Sequence, residues 1–279
     1  MNIGFMQGRL VDQIDGRIQA FPVQHWRDEF RLGHELGFSL IEWTLDYEGL
    51  HNNPFLTTVG HNEIKQLCIK YDLGIESVTC DCFMQKPFWK NKHYSENLMK
   101  DFDAVLQACA VLGLRFVVIP LVDNGRLENN EEQVRLIELL SSREQFMADN
   151  GLQIIFESDY DPARYTDFLK NLSSNYYNVN YDIGNSASLG YDSDLEISLY
   201  GKRIKNVHVK DRMYQGTTVP LGEGAADFPK VFHALSNVGY QGNFILQTAR
   251  AKQGEHCLVA MNYLDKIKQL ISHFYGSRV

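Results

Sequence analysis

Four short apolar runs, each ending on a side chain that can bind a hard cation, constrain the fold of this chain most. The runs cover residues 152–157, 178–182, 204–208 and 243–247. Their last residues are Glu157, Asp182, His208 and Gln247. If the runs are parallel strands lying side by side, the four side chains meet at one rim. Active sites of α/β barrels lie on this face, where the strands end.

β-rich runs alternate with segments of helical period along the whole chain. Strands are predicted over 3–6, 39–43, 74–79, 115–120, 152–156, 179–182, 204–208 and 244–246. Helices are predicted over 26–36, 62–71, 95–112, 131–149, 161–172, 192–200, 227–238 and 256–274. This order predicts an α/β fold of one domain over residues 1–279, a (β/α)8 TIM barrel. An open doubly wound sheet is the alternative, but no glycine-rich phosphate motif follows the first strand.

Composition narrows the class of protein. A formal charge of −8 argues against a nucleic-acid-binding surface, which needs a basic stripe. The five cysteines have neither zinc-finger nor redox spacing, and free thiols suit a reducing compartment. Cys80 and Cys82 are best interpreted as small apolar filling on a strand. No run reaches the roughly 18 apolar residues of a membrane span, so we expect a cytoplasmic protein without a membrane partner.

Motifs in the C-terminal half resemble a known enzyme family. They read Tyr-Asp-Ile-Gly-Asn (181–185), Val-His-Val-Lys-Asp (207–211), Leu-Gly-Glu-Gly-Ala-Ala-Asp-Phe (221–228) and Gly-Tyr-Gln-Gly-Asn-Phe-Ile-Leu (239–246). Together they resemble the sugar-phosphate isomerase/epimerase family, which has the xylose-isomerase-like barrel. The nearest likeness is to L-ribulose/L-xylulose-5-phosphate 3-epimerases. In the N-terminal half the likeness is looser and is carried by residues 36–46.

The resemblance implies a divalent metal ion held by Glu157, Asp182 and His208. Gln247 stands where the family has a fourth, carboxylate ligand. The mixed oxygen and nitrogen donors suit Mn²⁺, Mg²⁺, Co²⁺ or Zn²⁺. In the family the ion polarises a ketose carbonyl and stabilises the enediolate. The alternative interpretation of the strand-end residues is purely structural, as helix caps.

Gln247 is the main departure from the family pattern. An amide cannot exchange protons usefully near neutral pH, whereas two-base 3-epimerisation needs an acid/base group on each face of the substrate. The sequence therefore favours a one-base isomerisation, with Glu157 as the base. A catalytically degenerate sugar-binding barrel and an altered chemistry remain alternatives. An endonuclease relative is least favoured, because a formal charge of −8 does not suit a DNA-binding surface.

Further polar residues near the strand ends are candidates for binding a sugar or sugar phosphate. They are Asn185, Lys210, Arg212, Glu223, Arg250 and His256. Each also has an ordinary structural interpretation, such as a cap, a solvated cation or a turn residue. Glu42, inside the second strand, is predicted to form a structural pair, with a hydrogen bond to the substrate as the alternative. Aromatic residues after strands two and three suit core packing or a sugar-binding wall, and would also permit a homo-oligomer.

Overall fold

Eight parallel strands close into a barrel in the computed structural model, which describes residues 1–90 and 95–276. The barrel strands are β1 (Ile3–Met6), β2 (Leu40–Thr44), β3 (Ser77–Thr79), β4 (Phe116–Leu121), β5 (Gln153–Ser158), β6 (Tyr177–Asp182), β7 (Ile204–Val209) and β10 (Asn243–Leu246). Two further strands, β8 (Asp211–Arg212) and β9 (Thr218–Val219), form a small antiparallel ribbon after β7. Each barrel strand pairs with its neighbours in chain order, and β10 closes onto β1. The predicted TIM barrel is confirmed.

Helices lie between the strands and cover the outside of the barrel. They are α1 (Asp28–Leu36), α2 (Thr58–Tyr71), α3 (Asp81–Gln85), α4 (Ser95–Leu112), α5 (Asn130–Ser141), α6 (Glu144–Asn150), α7 (Pro162–Lys170), α8 (Ile183–Leu189), α9 (Ser193–Tyr200), α10 (Phe228–Asn237) and α11 (His256–Tyr275). Asp161 and Asp227 cap α7 and α10 through their side chains, as the sequence predicts. Among the described residues, no helix is long and apolar enough to cross a bilayer.

The ribbon of β8 and β9 was not predicted, and three helical features also differ from the sequence prediction. The helix predicted over 131–149 is two helices, because the chain breaks at Ser142 and Arg143, where Arg143 forms an ion pair with Asp103 at 2.8 Å. The short helices α3 and α8, which directly follow β3 and β6, were not predicted. Neither reaches eight residues, so neither carries a clear helical period.

The barrel interior changes from apolar to polar along its axis. It holds two small apolar clusters, Met6–Leu40–Ile245 and Phe116–Val118–Ile155. A side chain at Gly4 would lie 2.8 Å from both Leu40 and Ile245, so glycine is required for the strands to close there. Further along, the interior holds buried Glu42, Asn180, Asn206 and His208. The polar end is therefore the end where the strands finish.

Aromatic side chains that could have formed a sugar-binding wall are packed in the core. Trp43, Phe83, Phe88 and Trp89 are each fully buried. Phe88 contacts Phe83 and Trp89 edge-on. Cys80 and Cys82 are also buried, as predicted, but neither lies on a strand, because Cys80 follows β3 and Cys82 lies in α3.

Candidate metal and active site

Strand geometry brings three of the predicted ligands together. Side chains alternate between the two faces of a strand, so inward-facing positions recur at every second residue. Asp182 and His208 are direct register partners on β6 and β7. One ligand atom from each of Glu157, Asp182 and His208 lies within 4.8 Å of the others. All three residues are buried.

His208 is held between two carboxylates. Its Nε2 lies 2.6 Å from Glu42 Oε1, and its Nδ1 lies 3.1 Å from Glu157 Oε2. Burial alone would lower the pKa of His208, but the charges and hydrogen bonds of Glu42 and Glu157 raise it to about 10. The imidazole is therefore fixed in orientation, with Nδ1 facing the predicted ligand cluster.

Glu42 contacts His208 and belongs to the site, where the sequence favoured a structural pair over a hydrogen bond to the substrate. Besides His208, the Glu42 carboxylate accepts hydrogen bonds from the Ser77 and Thr79 hydroxyls and the Asn206 amide, at 2.6–2.9 Å. Burial opposes its ionisation, but the charge of His208 and these hydrogen bonds lower the pKa of Glu42. A carboxylate behind a histidine is the usual arrangement for fixing a metal-ligating imidazole.

Glu157 is surrounded by donors on both oxygens. Asn185 Nδ2 donates to Oε1 at 2.6 Å and Asn180 Nδ2 donates to Oε2 at 3.1 Å. Burial would raise the pKa of Glu157, but the His208 hydrogen bond and the charges of His208 and Lys210 lower it. The side chain is therefore held as a carboxylate, the form needed both to bind a cation and to accept a proton.

Asp182 caps a helix, one of the two roles that the sequence left open, and it also lies in the candidate ligand cluster. Its Oδ1 caps α8 by accepting from the backbone N–H of Asn185 at 2.8 Å. Its Oδ2 accepts from Lys210 Nζ at 3.2 Å. Burial and the charge of Glu157 raise the pKa of Asp182, although the Lys210 charge opposes this. Capping therefore occupies one oxygen, and the second is bonded to the Lys210 ammonium group.

Gln247 directly follows β10, and its amide contacts a cation of the protein itself. Gln247 Oε1 accepts from Lys210 Nζ at 3.4 Å. Lys210 thus contacts both Asp182 and Gln247. The ammonium group lies beside the fourth position of the predicted ligand set, where the family has a carboxylate.

A cavity of about 610 Å³ opens above this cluster, at the strand ends. The sequence-predicted residues Glu157, Asn185, Lys210, Arg212 and Gln247 line it. Asn185 is buried and engaged at both ends of its amide, since it donates to Glu157 and accepts from Arg212 at 2.8 Å. Some of the residues predicted to bind substrate therefore form hydrogen bonds to one another.

The cavity wall also contains residues that were not predicted, among them the linked group Arg9, Gln19 and Asp81. Gln19 connects the other two, because it accepts from Arg9 Nη2 at 2.8 Å and donates to Asp81 at 3.0 Å. Burial, and then the charges of Asp46 and Glu157, raise the pKa of Asp81 to about 7. The position of Asp81, two residues beyond the inward-facing Thr79, was the one signal that could have indicated it.

The remaining predicted substrate residues lie away from the cavity. Glu223 is exposed on a turn whose flanking glycines donate to Asp211. Arg250 donates to the carbonyl of Val11. His256 begins α11 and lies 3.0 Å from Asp12, beside a separate cavity. None of these three residues lines the cavity.

The donor set fits a divalent metal ion. Two carboxylates and one imidazole are donors that Mn²⁺, Co²⁺ and Zn²⁺ accept, and the Glu42–His208 pair supplies the outer-sphere contact that such sites usually have. Protein ligands from three residues would leave coordination positions open, which is typical of catalytic rather than structural sites.

Comparisons with known proteins agree with this fold. A family model described as xylose isomerase-like TIM barrel matches residues 30–271. L-ribulose-5-phosphate 3-epimerase UlaE of Shigella flexneri serotype 5b is 23% identical over 248 residues, covering 82% of this chain and 84% of that protein. A D-psicose 3-epimerase solved in the presence of D-fructose superposes with a TM-score of 0.78 at 14% identity, over 97% of this chain and 99% of that one. The IOLI protein, whose structure contains a bound zinc atom, superposes with a TM-score of 0.75 at 14% identity, over 98% of this chain and 99% of that one.

Proposed function

This chain belongs to the xylose isomerase-like TIM barrel family, and we propose that it is a divalent-metal-dependent isomerase or epimerase of a sugar or sugar phosphate. The observation that carries the proposal is the meeting of Glu157, Asp182 and His208 within 4.8 Å at the strand ends. The relatives support it, because UlaE is named as a sugar-phosphate epimerase and the IOLI structure contains zinc.

Glu157, Asp182 and His208 would hold the metal ion. When bound, the ion supplies Lewis acidity that polarises a ketose carbonyl. His208 presents Nδ1 because Glu42 fixes the opposite nitrogen at 2.6 Å. Since Nδ1 must lose its proton to ligate, Glu42 keeps the imidazole in the tautomer with the proton on Nε2.

Glu157 is the proposed base that removes the carbon-bound hydrogen next to the carbonyl. It is a buried carboxylate with a lowered pKa, and it lines the cavity into which a sugar would enter. Asn180 and Asn185 fix both of its oxygens, so the base is positioned before substrate arrives. Removal of this hydrogen as a proton converts the substrate into an enediolate, and Glu157 then returns the proton to carbon.

Gln247 favours chemistry with a single base. An aldose–ketose isomerisation returns the carbon-bound proton to the neighbouring carbon on the face from which it was taken, while the hydroxyl proton moves from one substrate oxygen to the other, so Glu157 is the one base that the carbon-bound proton needs. Two-base 3-epimerisation needs a proton carrier opposite Glu157, and the Gln247 amide cannot act as one. The amide is instead bonded to Lys210 at 3.4 Å.

Solvent deuterium exchange tests this proposal. Purified protein is incubated in D₂O with a panel of ketoses and ketose phosphates, with Mn²⁺, Co²⁺ or Zn²⁺ or with EDTA. We expect metal-dependent deuterium incorporation next to the carbonyl of at least one sugar, and its loss in Glu157→Gln. Glu76→Gln is the control, because Glu76 bonds Arg115 and Asn243 at the far end of the barrel. No exchange with any sugar, or full exchange in Glu157→Gln, would refute the proposal.

A sugar-binding barrel without turnover is the second candidate. Gln247 and the Lys210 ammonium beside Asp182 favour it, because both reduce the negative charge available to a cation. Thermal melts separate the two, since a metal that binds only the folded state raises the melting temperature. Protein purified without metal and unaffected by Mn²⁺, Co²⁺ or Zn²⁺ would support this second function.

A further inference from the structure

We propose that Asp81 is a second proton carrier of the active site, which transfers the hydroxyl proton between the two reacting oxygens of the substrate. The inference rests on the proposed function and adds a catalytic residue to it. It follows from the position of Asp81 in the cavity wall and from the contacts of the other titratable residues there.

Asp81 lies at the same end of the barrel as the proposed base. It begins α3, two residues after the end of β3. Asp81 and Glu157 both line the 610 Å³ cavity. The strand between them, β4, presents Pro120 to the cavity, and Pro120 carries no exchangeable proton. Neighbouring strands are about 4.8 Å apart, so β3 and β5 are about 10 Å apart and both carboxyl groups can contact one sugar molecule.

Asp81 is held in place through one oxygen. Its Oδ2 accepts from Gln19 Nε2 at 3.0 Å, and Gln19 Oε1 accepts from Arg9 at 2.8 Å. Arg9 also donates to the Ile18 carbonyl at 2.7 Å, so the loop after β1 fixes the carboxyl group. Asp81 is 8% exposed, and no donor among the described residues forms a hydrogen bond to its Oδ1. That oxygen is therefore available to a substrate hydroxyl.

No cation is paired with Asp81 in the parts of the chain that the structure describes. Burial, and then the charges of Asp46 and Glu157, raise its pKa to about 7. The Gln19 hydrogen bond and the Lys210 charge oppose this rise. A carboxyl group with a pKa near the operating pH can both accept and release a proton, which suits general acid–base catalysis.

The other titratable side chains of the described cavity wall are paired, exposed or unable to lose a proton. Asp159 is paired with Arg126 at 2.5 Å, and Asp123 is exposed. Lys210 forms an ion pair with one of the predicted metal ligands. The arginines of the wall remain protonated at neutral pH. Besides the proposed base, Asp81 is therefore the buried carboxyl group of this wall that is free to exchange a proton.

The interconversion of a ketose and an aldose moves two protons, and the cavity offers one carboxyl group for each. Glu157 removes a hydrogen of C1 as a proton. The electron pair of that C–H bond forms the C1–C2 double bond of the enediolate, and the carbonyl pair moves to O2. Asp81 takes the proton of O1, whose electron pair forms the aldehyde carbonyl while the double bond accepts the proton of Glu157 at C2. Asp81 then gives its proton to O2, and both carboxylates are regenerated.

Deuterium exchange and aldose formation, measured together in D₂O, separate the two roles. Return of a proton to C1 regenerates the ketose with deuterium and needs Glu157 alone, whereas aldose formation also needs transfer from O1 to O2. Asp81→Asn should therefore keep the exchange at C1 and form aldose about 100-fold more slowly relative to that exchange. NMR of both sugars measures this ratio. Asp123→Asn, at the exposed carboxylate of the same wall, is the control and should keep the wild-type ratio.

A purely structural role of Asp81 would change both rates together, because both reactions pass through the same enediolate. An equal loss of exchange and aldose formation in Asp81→Asn, or no loss of either, would overturn the proposal. Asp81→Asn should fold, since it removes a buried charge that Asp46 and Glu157 repel and leaves an amide oxygen to accept from Gln19.

Rescue by formate is the second measurement. Asp81→Ala removes the carboxyl group and leaves space that formate can occupy. Added formate should raise the ratio of aldose formation to exchange in Asp81→Ala and should not change it in Asp123→Ala. If formate does not raise the ratio in folded Asp81→Ala, Asp81 is not the proton carrier.

The two proposals fail separately. If wild type shows no exchange with any ketose, the proposed function is refuted, and the role of Asp81 with it. If wild type shows exchange but forms no aldose, or if Asp81→Asn keeps the wild-type ratio, only the role of Asp81 is refuted.

Discussion

Glu42 Oε1 and His208 Nε2 lie 2.6 Å apart, on β2 and β7, and both side chains are fully buried. This contact joins residues 166 positions apart and fixes which imidazole nitrogen faces the ligand cluster. The geometry makes Glu42 a positioning residue that acts through His208.

Glu42→Gln should weaken metal binding about 10- to 100-fold, because the amide cannot stabilise the imidazole as the carboxylate does. Metal titration followed by calorimetry measures this directly. Glu76→Gln, at the opposite end of the barrel, should bind metal like wild type. If the two variants bind equally well, Glu42 has no influence on the ion.

Gln247→Glu should raise metal affinity about tenfold, since it adds a carboxylate beside the other ligands. It should also allow formation of a 3-epimer, because a proton carrier then stands opposite Glu157. Gln247→Ala is the control and should gain neither property. NMR of the sugar products together with metal titration provides both readouts. An unchanged affinity and product in Gln247→Glu would argue against the assigned position of residue 247.

Asp81 should make stability depend on pH. Its folded pKa of about 7 lies above the ordinary carboxyl value of about 3.9. The folded state therefore binds the proton more tightly, so this contribution is fully present below about pH 4 and is lost as the pH rises through 7. In EDTA, the melting temperature of wild type should fall relative to Asp81→Asn between pH 5 and 8, by about 3 °C or more. Asp123→Asn removes an exposed carboxylate from the same cavity wall, so its melting temperature should change with pH as that of wild type does. If the melting temperatures of all three proteins change with pH in parallel, the pKa of Asp81 is not raised.

Glu29 should stabilise the loop that carries Arg9. Its buried carboxylate accepts from the backbone N–H of Gly8 at 2.8 Å and of Leu10 at 3.1 Å. Glu29→Ala leaves these groups without a partner and should lower the free energy of unfolding by about 2–4 kcal/mol. Glu35→Ala, on the same helix but in an exposed pair with Arg31, should cost less than about 0.5 kcal/mol. Urea denaturation compares them, and similar losses would show that the loop contacts do not matter.

The strands and the ligand cluster were predictable because they depend on local periodicity. Inward positions recur every second residue, so runs ending on Glu157, Asp182 and His208 indicated a common rim before any contact was known. The role of Glu42 was not predictable in this way, because it depends on a contact across the barrel. Arg9, Gln19 and Asp81 lie at or beyond strand ends, where no period places a side chain. Position after a strand was also not sufficient to predict a place in the cavity wall. It suggested Glu223, Arg250 and His256, none of which lines the cavity.

Anomalous diffraction from crystals soaked in Mn²⁺ tests the central claim most directly. We predict one strong peak within coordination distance of a Glu157 oxygen, Asp182 Oδ2 and His208 Nδ1, and its loss in His208→Ala. A peak bound elsewhere, or none at millimolar Mn²⁺, would contradict the proposal that these three side chains hold one catalytic ion.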